Sequence, residues 1–153
     1  DALRSAREDL RPVKVDLDDI AMLQFTSGST SRPKGVVLTH ANLAANVEAI
    51  NKTGLRVTPD DVGVSWLPLY HDMGLIGFVL APLVTKTRCV FLPPLLFLKR
   101  PASWLQAISR HHGTISYGPN FAYALVAKRL KEKDVAGLRD AIDPGRTDLV
   151  LNV

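Results

Sequence analysis

At 153 residues the chain suits one globular domain, which buries roughly 70% of the surface of its unfolded form. Hydrophobic residues make up 46% and charged residues 22% of the sequence, which is typical of a soluble globular protein. The net charge of +4 is compatible with anionic ligands. Because no run of basic residues reaches five, the charge pattern argues against nucleic acid as a partner.

Cysteine content and hydropathy restrict the compartment. The single Cys89 cannot form an internal disulfide, so we expect a small buried hydrophobe in a reducing, cytoplasmic setting. The most apolar segment, residues 73–84, contains Pro82 and is shorter than the ~20 residues of a membrane span, so no transmembrane segment is predicted. The chain begins without methionine and ends on an apolar stretch, which suggests an excerpt from a larger protein.

The first half of the chain reads as two strands and two helices. Residues 1–19 are predicted as an irregular lead-in and 20–25 as a strand buried on both faces. Residues 36–38 continue extended, and Thr39 caps a helix over 40–53 that Gly54 ends. A strand over 62–67 then leads to an apolar, buried helix over 75–84, which Pro82 bends or ends.

The second half repeats the alternation. Residues 89–92 form a strand, Pro101 starts a helix through His111, and residues 114–117 form the next strand. A helix over 121–133, a polar loop over 134–147 and a strand over 148–153 follow. Four alternations of strand and helix predict an α/β fold with a mainly parallel sheet covered by helices. In such folds, ligand sites lie beyond the carboxyl ends of the strands.

Residues 25–35 form a loop that suits anion binding. Glycines let the backbone approach an anion closely, and hydroxyls and an ammonium add donors. The alternative is a solvated turn, but the loop is short and directly follows a predicted strand. Its spacing differs from that of a Walker A loop. The donors in this phosphate-loop hypothesis are Thr26, Ser27, Gly28, Ser29, Thr30 and Lys34.

Two further loops follow predicted strands and, with the first, are expected at one edge of the sheet. One contains Tyr70, His71 and Asp72, and the other is the Gly118-Pro119-Asn120 turn. His71 either hydrogen-bonds the loop backbone or serves as a neutral donor or gate beside a ligand. Asp72 is expected to cap the following helix rather than to catalyse. This convergence predicts a ligand site.

Other chemistries are disfavoured. The adjacent His111 and His112 would diverge on a helix, so no metal site is predicted and they are expected to stabilise the helix C-terminus. Ser27 lacks the Gly-x-Ser-x-Gly context of a nucleophile elbow. The large aromatic residues are expected in the core: Trp66, Phe97, Trp104 and Phe121.

The motifs resemble those of adenylate-forming enzymes, the superfamily of acyl-CoA synthetases, luciferases and peptide-synthetase adenylation domains. Residues 26–35, TSGSTSRPKG, are similar to its phosphate loop, and 39–43, THANL, to the sequence that follows. Residues 66–75, WLPLYHDMGL, are similar to the next core motif. The forms FLKRPASWL at 97–105 and GPNFAY at 118–123 resemble the fatty acyl-AMP ligase and acyl-ACP synthetase branch. Ser31, where acyl-CoA synthetases usually have glycine, fits that branch.

The resemblance implies that the loop residues 26–30 and Lys34 contact ATP phosphates. It implies a fatty acid pocket near Tyr70, His71 and Asp72, with His71 catalytic and residues 118–120 helping to form the pocket. Such enzymes join a fatty acid to ATP, giving acyl-AMP and pyrophosphate, with Mg²⁺ neutralising charge. The acyl group then passes to an acyl carrier protein or a polyketide synthase.

The resemblance covers about residues 18–153 and implies a partial N-terminal AMP-binding domain over 20–153. The family's later adenine, ribose and Mg²⁺ motifs and its C-terminal domain with a catalytic lysine are absent from these 153 residues. We therefore expect the isolated fragment to be inactive in adenylation. Two alternatives stay open: an acyl-CoA synthetase, and a non-catalytic module that binds nucleotide or phosphate.

Overall fold

The computed structural model describes residues 13–26, 33–135, 138 and 148–149. Four predicted features therefore lie wholly or largely outside the described residues: most of the lead-in, the centre of the phosphate loop, the loop over 134–147 and the end of the last strand. The chain divides into two compact units, residues 1–45 and 46–153, and each is treated by itself.

The first unit contains an antiparallel hairpin. Strand β1, Ile20–Thr26, pairs with β2, Lys34–Thr39. Ile20, Leu23 and Phe25 are each more than half exposed. The prediction of a strand buried on both faces is therefore wrong, because among the described residues β1 pairs with β2 alone and in an antiparallel sense. A short apolar run does not by itself distinguish such a hairpin from a buried parallel strand.

A reciprocal cap starts helix α1, His40–Glu48. The Thr39 hydroxyl accepts a hydrogen bond from the Asn42 amide at 3.2 Å, and Asn42 Oδ1 accepts one from the Thr39 amide at 3.1 Å. This is a capping box with asparagine at its third position. The helix continues as a π-helical turn, Ala49–Gly54. The predicted N-cap is confirmed. The predicted stop at Gly54 is wrong, because Gly54 is the last helical residue, Leu55 is the C-cap and the left-handed conformation occurs at Arg56.

The second unit contains a four-stranded sheet in the order β4-β3-β5-β6, with every neighbouring pair parallel. Its strands are β3, Val62–Ser65; β4, Arg88–Phe91; β5, Ile115–Ser116; and β6, Asp148–Leu149. Helical segments connect β3 to β4, β4 to β5, and follow β5. The predicted α/β fold with a mainly parallel sheet is confirmed for this unit.

One interrupted helix connects β3 to β4. It comprises α2, Asp72–Leu75, a π-helical turn, Ile76–Leu80, and α3, Ala81–Thr85. The π-helical turn ends two residues before Pro82, whose ring would clash with the carbonyl four residues earlier in an ideal α-helix. The helix does not end at Pro82 but continues to Thr85, and the π-helical turn is the local change that precedes the proline. The prediction of burial on all sides is wrong at Leu83 and Val84, which are 68% and 70% exposed.

The remaining helices are α4, Pro94–Lys99; α5, Ala102–His111; α6, Asn120–Arg129; and α7, Glu132–Val135. No sequence pattern predicted α4. The prediction of one helix over 121–133 is wrong, because the backbone is extended at Leu130. The cap after α5 is His112, in the left-handed conformation, and Gly113 donates to the carbonyl of Ile108.

Aromatic rings form the centre of the core. Trp66 stacks on Phe97 with ring centroids 3.9 Å apart, and Trp104 meets both rings edge-on. Ser116, fully buried, accepts a hydrogen bond from Trp104 Nε1 at 2.8 Å and donates one to the carbonyl of Val64 at 2.6 Å. These contacts tie α5 and β3 to β5.

Two smaller predictions about burial need correction. Phe121 contacts Trp66 edge-on but is 54% exposed, so its assignment to the core is wrong. It lies in the first turn of α6, where only one side of the ring faces the core aromatics. Cys89 is half-buried rather than buried, and burial raises the pKa of its thiol.

In the part of the chain that the structure describes, no helix is both long and apolar enough to cross a membrane.

A polar cluster joins the beginnings of β3 and β5. Thr114 Oγ1 donates to Asp61 Oδ1 at 2.6 Å and accepts from the Val62 amide at 3.0 Å. Asp61 Oδ2 accepts from the amide and hydroxyl of Thr58 at 2.7 and 2.9 Å. Burial alone would raise the pKa of Asp61, but the hydrogen bonds from Thr114 and Thr58 outweigh it and hold the pKa below its usual value.

Candidate active site

The turn after β3 is fixed by a glycine in the helix that follows it. The His71 amide donates to the Pro68 carbonyl at 3.2 Å, and Gly74 and Leu75 donate to the His71 carbonyl. A methyl group on Gly74 would overlap the oxygen of Pro68 and lie 3.0 Å from its carbonyl carbon. Glycine is therefore required for α2 to start directly against this turn.

His71 and Asp72 form a polar pair at the start of α2. His71 has the extended backbone of an N-cap residue, and its Nδ1 lies 2.6 Å from Asp72 Oδ1 and 3.3 Å from the Met73 amide. Asp72 Oδ1 is also 2.7 Å from that amide. We assign the shorter contact, with Nδ1–H donating to Asp72 and the carboxylate binding the amide. In the neutral ring this leaves Nε2 as an acceptor.

The geometry of this pair supports a helix-end role for Asp72 and leaves the two alternatives for His71, a backbone hydrogen bond or a contact with a ligand, both open. Asp72 is the first residue of α2 rather than its N-cap, yet its carboxylate binds a first-turn amide, a favourable position for a negative charge. The His71 and Asp72 side chains are both more than half exposed. Nothing in this geometry makes His71 catalytic, and that role stays a prediction.

The second predicted turn, Gly118-Pro119-Asn120, follows β5. Pro119 is extended and α6 begins at Asn120. Gly118 is buried, and a methyl group there would lie 3.3 Å from the Trp66 ring. Because β3 and β5 are parallel neighbours, the turns after them lie at the same edge of the sheet. The predicted convergence is confirmed for these two turns.

A cleft of about 550 Å³ opens in the second unit beside the first of these turns. We call it the Tyr117 cleft. Its size suits a small organic ligand, and most of its lining is apolar. Its lining residues come from α1 and the turn after it, from the helix that starts at Asp72, and from the end of β5: Asn46, Ile50, Gly54, Leu55, Asp72, Met73, Ile76, Gly77 and Tyr117.

Buried contacts hold the walls of the cleft in place. Asn51, itself buried, donates from Nδ2 to the carbonyl of Ala81 at 3.0 Å and so links the turn after α1 to α3. Gly77 packs against the phenol of Tyr117, whose Cζ would lie 2.9 Å from a methyl group at that position. Tyr117 also stacks on Phe78, with the two ring centroids 4.3 Å apart.

The environment of Tyr117 favours its neutral form. Burial, with a smaller contribution from nearby Cys89, raises the pKa of the phenol far above its usual value. The phenol is thus a neutral hydrogen-bonding group in the cleft wall. Among the described lining residues, Asp72 is the only one with a formally charged side chain, so this part of the cleft combines an apolar body with one acidic rim.

The cleft gathers few of the residues that the sequence analysis assigned to a substrate. Asp72 lines it, whereas Tyr70, which is 91% exposed, His71 and residues 118–120 do not. Tyr117 and the apolar lining residues were missed. A signal was present, because Asn46, Ile50 and Gly54 recur every four residues and so share one helix face.

The phosphate loop lies in the first unit and closes the hairpin. Thr26 pairs with Lys34 across the two strands, and its hydroxyl donates to the Lys34 carbonyl at 3.4 Å. Ser27, Gly28, Ser29 and Thr30 lie outside the described residues. The expectation that this loop follows a strand of the parallel sheet is wrong, because the loop joins antiparallel strands. Its phosphate-binding role stays a prediction.

Metal ligands are not assigned. Among the residues that the structure describes, no group of three or more His, Cys, Asp or Glu side chains could hold a metal ion. The Asp72 carboxylate is already engaged by His71 and the Met73 amide. We therefore assign no described side chain to Mg²⁺.

Comparisons with known proteins agree with these motifs. The model of the AMP-binding enzyme family matches residues 2–146. A medium-chain-fatty-acid–[acyl-carrier-protein] ligase, TtuA, of Teredinibacter turnerae is 49% identical over 79% of this chain and 19% of its own length. A putative acyl-CoA synthetase of Caulobacter vibrioides is 48% identical over 74% of this chain and 20% of its own length.

A solved structure gives the same result in three dimensions. The fatty acyl-adenylate ligase from L. pneumophila, in complex with acyl adenylate and pyrophosphate, superposes with a TM-score of 0.79. It is 42% identical over 84% of this chain and 22% of that one. The chain thus spans about a fifth of the length of the curated relatives it matches. The family match, the two ordered motifs and the parallel sheet show that this chain belongs to the AMP-binding enzymes, the adenylate-forming family.

Proposed function

We propose that the protein activates fatty acids by adenylation. In this reaction the fatty acid carboxylate attacks the α-phosphorus of ATP, forming acyl-AMP and releasing pyrophosphate. Residues 20–153 would belong to the large N-terminal domain that binds ATP and the acid. Relatives named as a fatty-acid–carrier-protein ligase and a fatty acyl-adenylate ligase support this assignment. Because ATP is a cytoplasmic substrate, we place the reaction in the cytoplasm.

The observation that carries the proposal is the Tyr117 cleft. It has the volume of a small-molecule site and an apolar lining, as an alkyl chain requires. It lies at the carboxyl end of β5, where ligands of parallel sheets bind. We assign the cleft to the acyl chain and its Asp72 rim to the polar end of the site. Tyr70, His71 and residues 118–120 would then surround the carboxylate.

The phosphate loop would hold the other substrate. Backbone amides and hydroxyls from Thr26, Ser27, Gly28, Ser29 and Thr30, with the ammonium of Lys34, would bind the ATP phosphates. Mg²⁺, when bound, would reduce the charge on those phosphates, and no described side chain is assigned to hold it. Lys34→Ala combined with Thr30→Ala should raise the KM for ATP, while the KM for the fatty acid changes little. Unchanged use of ATP would contradict the loop assignment.

The cleft assignment is tested by ATP–pyrophosphate exchange in the full-length protein with fatty acids of graded length. Ile76 lines the cleft, whereas Leu83 lies exposed on the same interrupted helix. Ile76→Trp should shift the preferred acid toward shorter chains and leave the KM for ATP unchanged. Leu83→Trp is the matched control and should change neither. If no fatty acid supports exchange in the unmodified protein, the proposed function is wrong.

The acceptor of the acyl group distinguishes the leading proposal from a second one. We favour an acyl carrier protein or the carrier domain of a polyketide synthase, in line with the name of the Teredinibacter relative. The Caulobacter relative, named as a putative acyl-CoA synthetase, favours coenzyme A instead. Supplying preformed acyl-AMP with either acceptor separates the two. Thioester formation on the carrier alone supports the first, and acyl-CoA formation supports the second.

A further inference from the structure

A second cleft in the 46–153 unit has no part in the proposed chemistry. It measures about 610 Å³ and lies where α4 ends and α6 passes into α7. Its lining carries six cationic side chains: Lys99, Arg100, Lys128, Arg129, Lys131 and Lys133. We call it the basic cleft. All six side chains belong to exposed residues, so the cleft is a concentrated positive surface.

Local helix chemistry accounts for only part of this charge. Lys99, Lys128, Arg129 and Lys133 lie in the last turns of α4, α6 and α7, where cations stabilise helix C-termini. Arg129 also donates to the carbonyl of Leu98 at 3.0 Å. Arg100 is the C-cap residue of α4, and Lys131, between α6 and α7, belongs to neither helix.

The charge is also not neutralised within the described part of the chain. The ion pairs found there are Lys52–Glu48 and His71–Asp72, neither of which involves the cleft. Asp134, the one acid among the described lining residues, accepts a hydrogen bond from the Lys131 amide at 3.2 Å. The cleft therefore carries an excess of positive charge with no partner among these residues.

We propose that the basic cleft docks an acidic helical surface of a partner protein. Under the proposed function, on which this inference rests, the partner is the carrier that accepts the acyl group. The cations stand on two walls, and Leu130 adds an apolar contact between them, which fits a helix with an acidic face and an apolar stripe. Complementary charge of this kind steers association and fixes orientation.

Shape and burial disfavour other polyanions. A single phosphate needs convergent, partly desolvated donors, whereas these six side chains are exposed and spread over three segments. A flat anionic membrane cannot follow a concave surface. The ten residues of α6 place the cleft about 15 Å from the Gly118-Pro119-Asn120 turn. Docking there would leave the proposed pocket uncovered.

The test uses the full-length protein and a purified holo acyl carrier protein. Lys131→Glu with Lys133→Glu should raise the KM for the carrier about tenfold at low salt, since each reversal replaces an attraction by a repulsion. Raising the salt from about 50 to 300 mM should raise the KM of the unmodified protein for the carrier. The difference in this KM between the unmodified protein and the double variant should therefore become smaller. Lys14→Glu, an exposed lysine outside the cleft, is the matched control and should not change the KM.

Pyrophosphate exchange, which needs no carrier, separates this inference from the proposed function. Exchange should be unchanged in the double variant. Loss of exchange would show damaged folding; Lys99→Gln with Arg100→Gln on the opposite wall then provides the deciding measurement. If the protein shows no exchange at all, fluorescence anisotropy with a labelled carrier still measures docking. An unchanged affinity for the carrier in both double variants overturns the inference. It is also overturned if the double variants lose binding to phosphatidylglycerol vesicles while their affinity for the carrier stays the same.

Discussion

Gly74 offers the sharpest test of how the site is built, because a single methyl group there meets an immovable neighbour. Gly74→Ala would place Cβ against the Pro68 carbonyl, which belongs to the backbone and cannot rotate away. Overpacking costs about 1–3 kcal/mol, and we take the upper value of about 3 kcal/mol because the neighbour is main chain. Alanine is favoured over glycine within a helix by about 1 kcal/mol, which leaves a net loss of about 2 kcal/mol.

The measurement is a urea or thermal unfolding curve read by tryptophan fluorescence, since Trp66 and Trp104 both lie in the core. For a chain of 153 residues, 2 kcal/mol corresponds to a fall in Tm of about 4–8 °C. Moving the turn would also displace the His71–Asp72 pair, so we expect a higher KM for the fatty acid. Gly54→Ala is the matched control for the unfolding measurement, because the nearest atom, Ala49 O, lies at 3.6 Å. An unchanged stability in Gly74→Ala would refute the assigned packing.

Three further predictions follow from buried contacts. Ser116→Ala leaves a buried indole N–H and a buried carbonyl without partners and should lower the free energy of unfolding by about 2–4 kcal/mol, measured by urea denaturation. Gly77→Ala should push Tyr117 into its cleft and reduce activity with long fatty acids. Adding Tyr117→Phe to this variant removes the phenol oxygen and should partly restore that activity. A lack of recovery would contradict the contact between Gly77 and Tyr117. The lowered pKa of Asp61 contributes stability above its unfolded value, near 3.8, that is lost as the pH falls below it; in Thr114→Val this acid-dependent loss should shrink.

The sequence could predict the sheet of the second unit because its signals are local. Buried strands separated by helical patterns specify parallel pairing through the connections that they require. The turns after β3 and β5 were therefore correctly placed at one edge. Thr39 and Asn42 likewise form a cap from neighbouring residues alone. The cap is decided within a few residues of the chain. The sheet pairs distant strands, such as Gly63 with Ile115, but the alternation of strands and helices that requires parallel pairing can be recognised segment by segment.

The features whose burial was predicted wrongly depend on neighbours in space, which the local sequence pattern does not identify. Residues 20–25 look like a buried strand, yet they form a hairpin with residues that come only after the phosphate loop. Phe121 has the composition of a core residue, but its position at the start of α6 leaves half of the ring exposed. In both cases the partner, rather than the residue, sets the burial.

By itself the sequence determined the family, the parallel sheet and the identity of the motifs, since these are properties of residue order. Only the tertiary structure decided where an apolar ligand fits. The Tyr117 cleft joins side chains from positions 46 to 117, and its width depends on the Asn51–Ala81 hydrogen bond and on the missing side chain of Gly77. Volume is a property of packed surfaces from distant segments, so no local pattern encodes it.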